Sequence, residues 1–320
     1  MTVLQNFTIK AIPYNNLYYY IQNFLKENKD VKTLIISGNP FEQFYFGYLL
    51  KKEFPDLKWV ADYRDDWTTN ELYKKNSPLY KVINRYNRHF ELKWLKSSSK
   101  IITVSNLYAS RLAKLHEKEV YVVMNGFPDK IMDFPKNSII KYSDKFVISY
   151  SGSIYESQDF SILFEGVNKF AIVHPKLNIK VQFIGAKGFK IKNKEFNSSN
   201  NNYNFDIEIS DRLPWSEAYL KLKESNVLFL TSYGNLKGIP TSKLFEYITT
   251  DVPIILAPSD NDIMESIILQ TKTGYICEDK EGVYSSLKEI YTFDNYNPNW
   301  IKIRKYSSEL QIKKLVNLIK

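Results

Sequence analysis

The segment of residues 227–259 constrains the fold more than any other part of this sequence. Two apolar runs, residues 227–230 and 252–257, enclose a loop that contains glycine and a stretch from about Ser242 with helical spacing. Short apolar runs of this kind are typical of buried parallel strands. A strand, a helix and a second strand in this order predict a βαβ crossover in a parallel sheet.

The loop of this crossover has a composition that suits a phosphorylated ligand. Open parallel sheets bind ligands outside the carboxyl ends of their strands. The loop and the first helical turns supply six candidate binding residues: Gly238, Pro240, Thr241, Ser242, Lys243 and Glu246. Thr241 or Ser242 can cap the helix, whose free amide groups attract phosphate, and Lys243 adds a positive charge. Glu246 can accept hydrogen bonds from sugar hydroxyls. The alternative is a structural crossover with a solvated lysine and glutamate.

An acidic cluster follows another predicted strand, residues 58–63. It reads DYRDDW and contains Asp62, Arg64, Asp65 and Trp67. Charged groups at the carboxyl end of a buried strand usually face a ligand crevice. Asp62 or Asp65 can therefore bind an acceptor or handle protons. In the alternative interpretation, Arg64 pairs with a carboxylate and fixes the loop.

Strands and helices alternate along the rest of the chain, which predicts an α/β fold. The 320 residues exceed the usual size of one domain, so we expect two. We place them at residues 1–140, with a linker from about 128, and at residues 141–305, with a closing helix at 306–320. In the second domain, Gly152 and Ser153 follow a strand at 146–150, and Arg212 precedes a helix with Ser216 as its expected cap.

The chain is basic, with a net charge of +9, and the excess is uneven. Residues 71–100 contain eight Lys or Arg and two Glu, with aromatic residues among them. Three interpretations compete for this segment: a solvated helix face, a surface for an anionic membrane, or a surface for nucleic acid. No recognisable nucleic-acid module supports the third interpretation.

Several kinds of chemistry have no sequence support. Cys277 is the only cysteine, and the three histidines lack the spacing of zinc ligands. The phosphate-binding P-loop, the dinucleotide fingerprint and the nucleophile elbow are missing. Asp260-Asn-Asp262 has the form of a divalent-ion motif, but helix capping explains it as well. We find neither a signal peptide nor a membrane span and expect a cytoplasmic protein.

Five segments, in order, resemble the family-4 type of GT-B glycosyltransferases, especially bacterial members that build capsule, exopolysaccharide or lipopolysaccharide. The segments are SGNPFEQFYFGYLLKKEFPDLKWVADYRDDW (37–67), KIITVSNLYASRLAKL with VVMNGF (100–127), FVISYSGSIYESQDFSILFEGV (146–167), GIPTSKLFEYITTDVPIILA (238–257) and YSSELQIKKLVNLIK (306–320). The fourth is the most specific. The similarity touches most of the chain.

The resemblance implies two Rossmann-like domains that face a cleft, and hexosyl transfer with retention and without a metal or cofactor. The C-terminal domain would hold a UDP- or GDP-linked sugar, and the N-terminal domain a glycan or lipid-linked acceptor. By position, Glu246 would hold the ribose, and residues 238–243 the diphosphate and the sugar. Gly152 and Ser153 would approach the phosphates, and Arg212 would lie near the base. The acidic cluster of residues 62–67 would line the acceptor side, and the basic segment would rest on the inner membrane leaflet.

The sequence departs from the family pattern in three ways. Gly238 stands where many members have a second glutamate, Ser153 stands where many have an arginine, and Gln158 lies near the position where many have a lysine. The N-terminal domain also looks truncated, because the opening strand with its glycine-rich loop is not found. A non-catalytic glycosyltransferase-like partner subunit is therefore the first rival hypothesis, and a basic nucleic-acid-binding protein is the second.

Overall fold

The computed structural model describes residues 14–69, 78–133, 145–188, 203–292 and 296–320. Contacts between residues divide the chain into two compact units. Unit 1 comprises residues 1–124 and 314–320, and unit 2 comprises residues 125–313. The division falls earlier than the expected boundary near residue 140. Most of the expected linker, residues 134–144, lies outside the described residues, as do residues 71–77 of the basic segment.

Unit 1 is built on four parallel strands that lie side by side in chain order. The strands are β1 (Thr33–Gly38), β2 (Lys58–Tyr63), β3 (Lys100–Thr103) and β4 (Val120–Val122). The helices are α1 (Asn15–Glu27), α2 (Phe44–Glu53), α3 (Pro78–Leu95) and α4 (Asn106–His116), with a 3-10 turn at Phe41–Gln43 before α2. In β2 every residue after Lys58 is buried, because helices and aromatic side chains cover both faces of this strand.

Aromatic packing supplies most of the core of unit 1. The ring of Phe44 in α2 lies 4.9 Å from that of Tyr63 in β2, and the ring of Trp94 in α3 lies 5.2 Å from that of Tyr45. Large rings bury much apolar area with few rotatable bonds, so a small sheet gains a substantial core from them.

The end of the chain completes unit 1. The last helix, α11 (Ser308–Ile319), starts in unit 2, and residues 314–320 belong to unit 1. There Leu315, Leu318 and Ile319 pack against the buried side chains of Val60 and Ile102, which lie in β2 and β3. The closing segment is thus part of the core that covers these strands.

Unit 2 contains six parallel strands in the order β10-β9-β8-β5-β6-β7. The strands are β5 (Lys145–Ser151), β6 (Asn178–Ile184), β7 (Asp206–Ile209), β8 (Val227–Leu230), β9 (Ile254–Leu256) and β10 (Gly274–Ile276). The helices are α5 (Ser161–Val173), α6 (Trp215–Lys223), α7 (Ser242–Tyr247), α8 (Ile263–Thr271), α9 (Lys280–Thr292) and α10 (Trp300–Arg304). A 3-10 turn spans Asp129–Asp133. In the described ranges, no helix has the length and apolarity needed to cross a bilayer.

The strand order of unit 2 reverses between β5 and β8. From β5 the sheet grows through β6 and β7 on one side, and from β8 through β9 and β10 on the other. The two strands at the reversal are paired directly, with Ile148 opposite Val227. Their following loops must therefore part in opposite directions and leave a crevice at the carboxyl edge, which is where doubly wound sheets bind ligands. The described strands of unit 1 contain no such reversal.

The predicted α/β class with two Rossmann-like sheets is confirmed, and the predicted βαβ unit is formed by β8, α7 and β9. Two details of the sequence analysis are wrong. Ser216 does not cap α6, because the extended backbone ends at Pro214 and Trp215 already lies in the first helical turn. The short helix α10 was not predicted, since its five residues are too few for a periodic pattern.

A glycine at the contact between α5 and α9 offers a test of the packing in unit 2. A Cβ atom at Gly166 would lie 2.6 Å from Cβ of Val283. We expect Gly166→Ala to lower the free energy of unfolding by about 1–2 kcal/mol, because overpacking outweighs the gain of roughly 1 kcal/mol in helix propensity. Urea denaturation measures the change.

The control is Ile172→Ala in the same helix, where the side chain is 61% exposed. This change should stay within about 0.5 kcal/mol of the parent. A Gly166→Ala variant as stable as the parent would contradict the close approach of the two helices.

Candidate functional site

The side chain of Lys243 joins the two loops that part at the strand reversal of unit 2. Lys243 lies in α7, directly after the loop that follows β8. Its Nζ donates a hydrogen bond of 3.2 Å to the carbonyl oxygen of Ser153, in the loop that follows β5. The same ammonium group lies 5.2 Å from the ring centre of Tyr150 and 5.8 Å from that of Tyr155. A cation is thereby placed at the position where this type of sheet binds ligands.

Gly152 is the residue over which Lys243 extends. Its φ of +89° lies in the region that favours glycine. Its N–H donates to the carbonyl oxygen of Ile184 at 2.8 Å, so the backbone turns at the end of β5. A Cβ atom at this position would lie 3.2 Å from Cε of Lys243. The glycine therefore allows both the turn and the close approach of the lysine.

Burial changes the proton affinity of Lys243. It lowers the pKa of the Lys243 ammonium group to about 8, although the nearby Glu246 carboxylate raises it. A charged group without full solvation is destabilised until an anion comes close, and its attraction for that anion is strengthened in the lower dielectric. Lys243 is therefore partly buried and hydrogen-bonded to Ser153, whereas the choice between a binding loop and a structural crossover stays a prediction.

Glu246 lies one turn after Lys243 in α7 and is also partly buried. The indole N–H of Trp215 donates to Oε1 of Glu246 at 3.2 Å. Burial raises the pKa of the Glu246 carboxyl group, and both the indole N–H and the Lys243 charge lower it. The carboxylate is thus held by one directed donor and one nearby cation.

The loop that follows β5 has its own internal support. The hydroxyl of Tyr150 lies 2.9 Å from the carbonyl oxygen of Ser153 and 3.1 Å from Oε1 of Gln158, which also accepts from the N–H of Tyr155 at 3.0 Å. The N–H of Ser151 donates to the hydroxyl of Tyr247 in α7 at 2.7 Å. Gln158 therefore shapes the loop.

The other predicted residues of the loop before α7 are mainly structural. Gly238 is buried with a φ of +81°, and its N–H donates to Oδ2 of Asp262. Pro240 is buried. Thr241 stands at the N-cap position, but its side chain does not cap α7 and instead accepts from the hydroxyl of Tyr233 at 3.1 Å. Ser242 is exposed. The prediction of a hydroxyl cap is thus wrong for Thr241, because another partner holds that hydroxyl.

Arg212 lies on the exposed side of the same sheet edge, with its Cα atom 3.6 Å from the position of a Cβ at Gly185.

The motif Asp260-Asn-Asp262 serves the fold. Its first carboxylate accepts from the N–H groups of Met264 and Glu265 at 2.8 and 3.0 Å, in the first turn of α8. Asp260 thus binds free amide groups of α8, although the residue at the N-cap position, Asp262, makes no capping hydrogen bond of its own. Within the described ranges, no three His, Cys, Asp or Glu residues form a group that could hold a metal ion.

In unit 1, Asp62 is buried and takes part in a local network. Its Oδ2 accepts from the hydroxyl of Ser37 at 2.7 Å and from Nε of Arg64 at 2.8 Å. Arg64 also donates to the carbonyl oxygen of Val123 at 3.3 Å. The Arg64–carboxylate pair of the alternative interpretation is thus present. Asp65 is exposed.

Trp67 is only partly exposed, because it packs into the aromatic core of unit 1. Its ring is stacked on that of Phe41, with the centres 5.2 Å apart and the planes at 4°. On another side the ring of Trp94 lies 5.9 Å away. This packing gives the residue a structural role in the loop after β2.

A second cluster in unit 1 was missed by the sequence analysis. Glu91 is completely buried and accepts from the hydroxyls of Tyr63, at 2.8 Å, and Thr68. His116 lies 3.6 Å from its Oε1. Nearby, burial raises the pKa of Asp66 to about 6. The available signal was the helical spacing of Glu91 with the buried residues Trp94 and Leu95 of α3, but the sequence analysis only counted this residue in the charge of the basic segment.

No family model matches this chain, and no curated protein sequence matches it. The fold, in contrast, is similar to that of solved structures. A glycosyltransferase from Rickettsia africae is 13% identical and has a TM-score of 0.63, over 95% of this chain and 79% of that one. A UDP-forming trehalose-phosphate synthase from Burkholderia xenovorans is 10% identical and has a TM-score of 0.62, over 97% and 80%.

A sucrose-phosphate synthase from Thermosynechococcus elongatus is 12% identical, with a TM-score of 0.59 over 96% of this chain and 79% of that one. At such low identity the similarity concerns the fold. It confirms the prediction of a GT-B fold made of two Rossmann-like parallel sheets.

Because burial disfavours the charged form of Lys243, we expect its ammonium group to destabilise the folded chain at neutral pH. Its pKa is about 8 in the folded chain against 10.5 in the reference state, so the unfolded chain binds more protons between these values. The Lys243 ammonium group therefore destabilises the folded chain to its full extent below about pH 8, and this effect disappears towards pH 10.5. We expect Lys243→Met to raise the free energy of unfolding by about 1–3 kcal/mol at pH 7, with a smaller gain at pH 9.5.

Urea denaturation at the two pH values measures this gain. The control is Lys176→Met, at an exposed position of unit 2, which should change stability little and equally at both pH values. A loss of stability on Lys243→Met at pH 7 would show that the ammonium group is well solvated or well paired.

Proposed function

We propose that this chain is a glycosyltransferase that transfers a sugar from a UDP- or GDP-linked donor to a glycan acceptor. The observation that carries the proposal is the position of Lys243, whose ammonium group spans the strand reversal of unit 2 against the backbone of Gly152 and Ser153. The activities of similar solved structures also support sugar transfer from a nucleotide donor. One of these proteins is a UDP-forming trehalose-phosphate synthase, and a related one was solved with glucose-6-phosphate.

In this proposal, each residue at the edge of unit 2 has a physical task. The diphosphate lies along the backbone at Gly152 and Ser153, where the missing side chain allows a close approach. Departure of the nucleoside diphosphate builds up negative charge, which Lys243 stabilises from a fixed and poorly solvated position. Glu246 accepts hydrogen bonds from the ribose hydroxyls, and Arg212 lies on the side of the base.

The acceptor, the stereochemistry and the family branch rest on the sequence resemblance. We assign acceptor binding to unit 1, with Asp62 and Asp65 as candidate catalytic carboxylates and Arg64 and Trp67 beside them. A family-4 type enzyme would transfer a hexose with retention and without a metal, to a surface glycan or a lipid-linked acceptor. The hydrogen bond from Arg64 to Asp62 suits a role of this carboxylate in positioning.

A non-catalytic partner subunit is the second candidate function. It is favoured by two positions where the family pattern is lost and the residue present has a structural contact. The N–H of Gly238 is bound by Asp262, and the amide of Gln158 accepts two hydrogen bonds within its own loop. Sugar transfer or donor hydrolysis by the purified chain would exclude this candidate.

Nucleotide binding is the direct test of the proposed function. Isothermal titration should show that UDP or GDP binds the parent, and that Lys243→Met and Glu246→Gln each weaken the binding about tenfold or more, the usual cost of a lost charged hydrogen bond. Affinity should fall above about pH 8, as the lysine loses its proton.

Lys176→Met serves as the control and should bind like the parent. If neither UDP nor GDP binds the parent chain, the proposed donor site is wrong. If both bind with unchanged affinity to the Lys243 and Glu246 variants, the nucleotide site lies elsewhere.

We further assign the exposed face of α3 to an anionic membrane surface. Leu79 and Val82 are 68% and 66% exposed, and the same face presents several exposed cations: Lys81, Arg85, Arg88 and Lys93. The only carboxylate of α3, Glu91, is buried on the opposite side. Exposed apolar groups among cations are typical of helices that rest on lipid.

Co-sedimentation with vesicles tests this surface. The parent should bind phosphatidylglycerol vesicles and not phosphatidylcholine vesicles, and Arg85→Ser with Arg88→Ser should weaken binding about 30-fold, at about 1 kcal/mol per cation. Ile172→Ser, at an exposed apolar position of unit 2, is the control. Tight, salt-dependent binding of oligonucleotides without vesicle binding would favour the nucleic-acid interpretation instead.

A further inference from the structure

Trp215 is a large apolar residue in an unusual place. It begins α6 and is 45% exposed, yet its ring is fixed. The indole is stacked on the ring of Tyr219, with the centres 5.3 Å apart and the planes at 14°. Its N–H points to Oε1 of Glu246, at 3.2 Å. An exposed tryptophan with a stacked ring and a directed donor is ordered in a way that surface packing alone does not require.

Tyr219, on which Trp215 is stacked, is hydrogen-bonded to Thr249, just after the end of α7. Tyr219 is buried, and its hydroxyl lies 3.1 Å from the carbonyl oxygen and 3.0 Å from the hydroxyl of Thr249. The hydroxyl of Thr249 donates to the carbonyl oxygen of Glu246 at 2.6 Å. The contacts form a closed ring through Trp215, Tyr219, Thr249 and Glu246. The indole and the carboxylate therefore keep a fixed relative position.

This arrangement leaves the carboxylate of Glu246 with two unequal oxygens. Oε1 accepts from the indole, whereas Oε2 has no hydrogen bond to any residue in the described part of unit 2. A glutamate with three rotatable bonds loses much conformational freedom when it binds a ligand, and a fixed donor removes part of that loss beforehand. The free oxygen is thus presented in one orientation.

We propose that Trp215 is a positioning residue that orients Glu246 toward the ribose diol and so makes the site prefer ribonucleotides over 2′-deoxyribonucleotides. This inference rests on the proposed donor site, because it gives that site its selectivity for the sugar of the nucleotide. A ligand without the 2′-hydroxyl would leave an oxygen of this partly buried carboxylate without that hydrogen bond, which adds a desolvation cost to the loss of the hydrogen bond itself.

The test compares UDP with dUDP and GDP with dGDP, by isothermal titration from pH 5 to pH 8. The parent should prefer the ribonucleotide about tenfold or more, and Glu246→Gln should lose most of this preference. Trp215→Phe keeps a ring that can stack on Tyr219 but lacks the N–H. It should lower the preference at least threefold, with a smaller effect on the deoxyribonucleotide.

The pH dependence of nucleotide binding shows whether Trp215 positions Glu246 or only supports the fold. The indole N–H lowers the pKa of the Glu246 carboxyl group, so Trp215→Phe should move the loss of binding at acidic pH to a higher pH. Trp300→Phe, a change of the same type in α10, is the matched control and should leave both the preference and the profile unchanged.

A readout without ligand covers the case in which Trp215→Phe does not fold. In parent protein with ¹⁵N-labelled tryptophan, one of the five indole signals should shift strongly on Glu246→Gln. If none shifts, the hydrogen bond is absent and the inference is overturned. It is also overturned if Trp215→Phe retains the ribose preference and the acid profile while Glu246→Gln loses them, a result that leaves the donor site intact. Absence of nucleotide binding by the parent would overturn both proposals.

Discussion

The contact of one buried ammonium group with the backbone of a neighbouring loop connects the main features of unit 2. Two parallel strands, β5 and β8, lie side by side at the reversal of strand order, and their loops turn away from each other. Lys243 crosses this gap and donates to Ser153. The lysine side chain can pass close to the backbone because residue 152 is a glycine. The loop that it contacts is held by the hydrogen bonds of Gln158. The cation is therefore fixed by the fold before any ligand arrives.

The sequence predicted the class and most of the elements of the fold, because buried parallel strands and amphipathic helices have strong periodic signals. It predicted the βαβ unit with Lys243 and Glu246 on one helix, since their spacing is local. The partners of these residues lie far away in the chain. Ser153 is 90 positions from Lys243, and Trp215 is 31 positions from Glu246. Such contacts depend on the order of strands in the sheet, which no local pattern reports.

The same limit explains the errors at single residues. A threonine before a helix is a good candidate for a cap, but the hydroxyl of Thr241 is held by Tyr233, which follows β8 in the same loop. Glu91 entered the sequence analysis only as one charge of the basic segment, but it faces the core, where Tyr63 and Thr68 provide hydrogen bonds. In both cases the role of the side chain depends on its hydrogen-bond partner in the fold, which the residue type alone does not indicate.

Unit 1 is discontinuous in the sequence, because residues 314–320 complete the cover over β2 and β3. During synthesis, the strands of this unit leave the ribosome long before that cover exists. Apolar side chains such as Val60 and Ile102 therefore lack this part of their cover until residues 314–320 have been synthesised. The core of unit 1 is consequently complete only when residues from both sides of unit 2 in the sequence have come together.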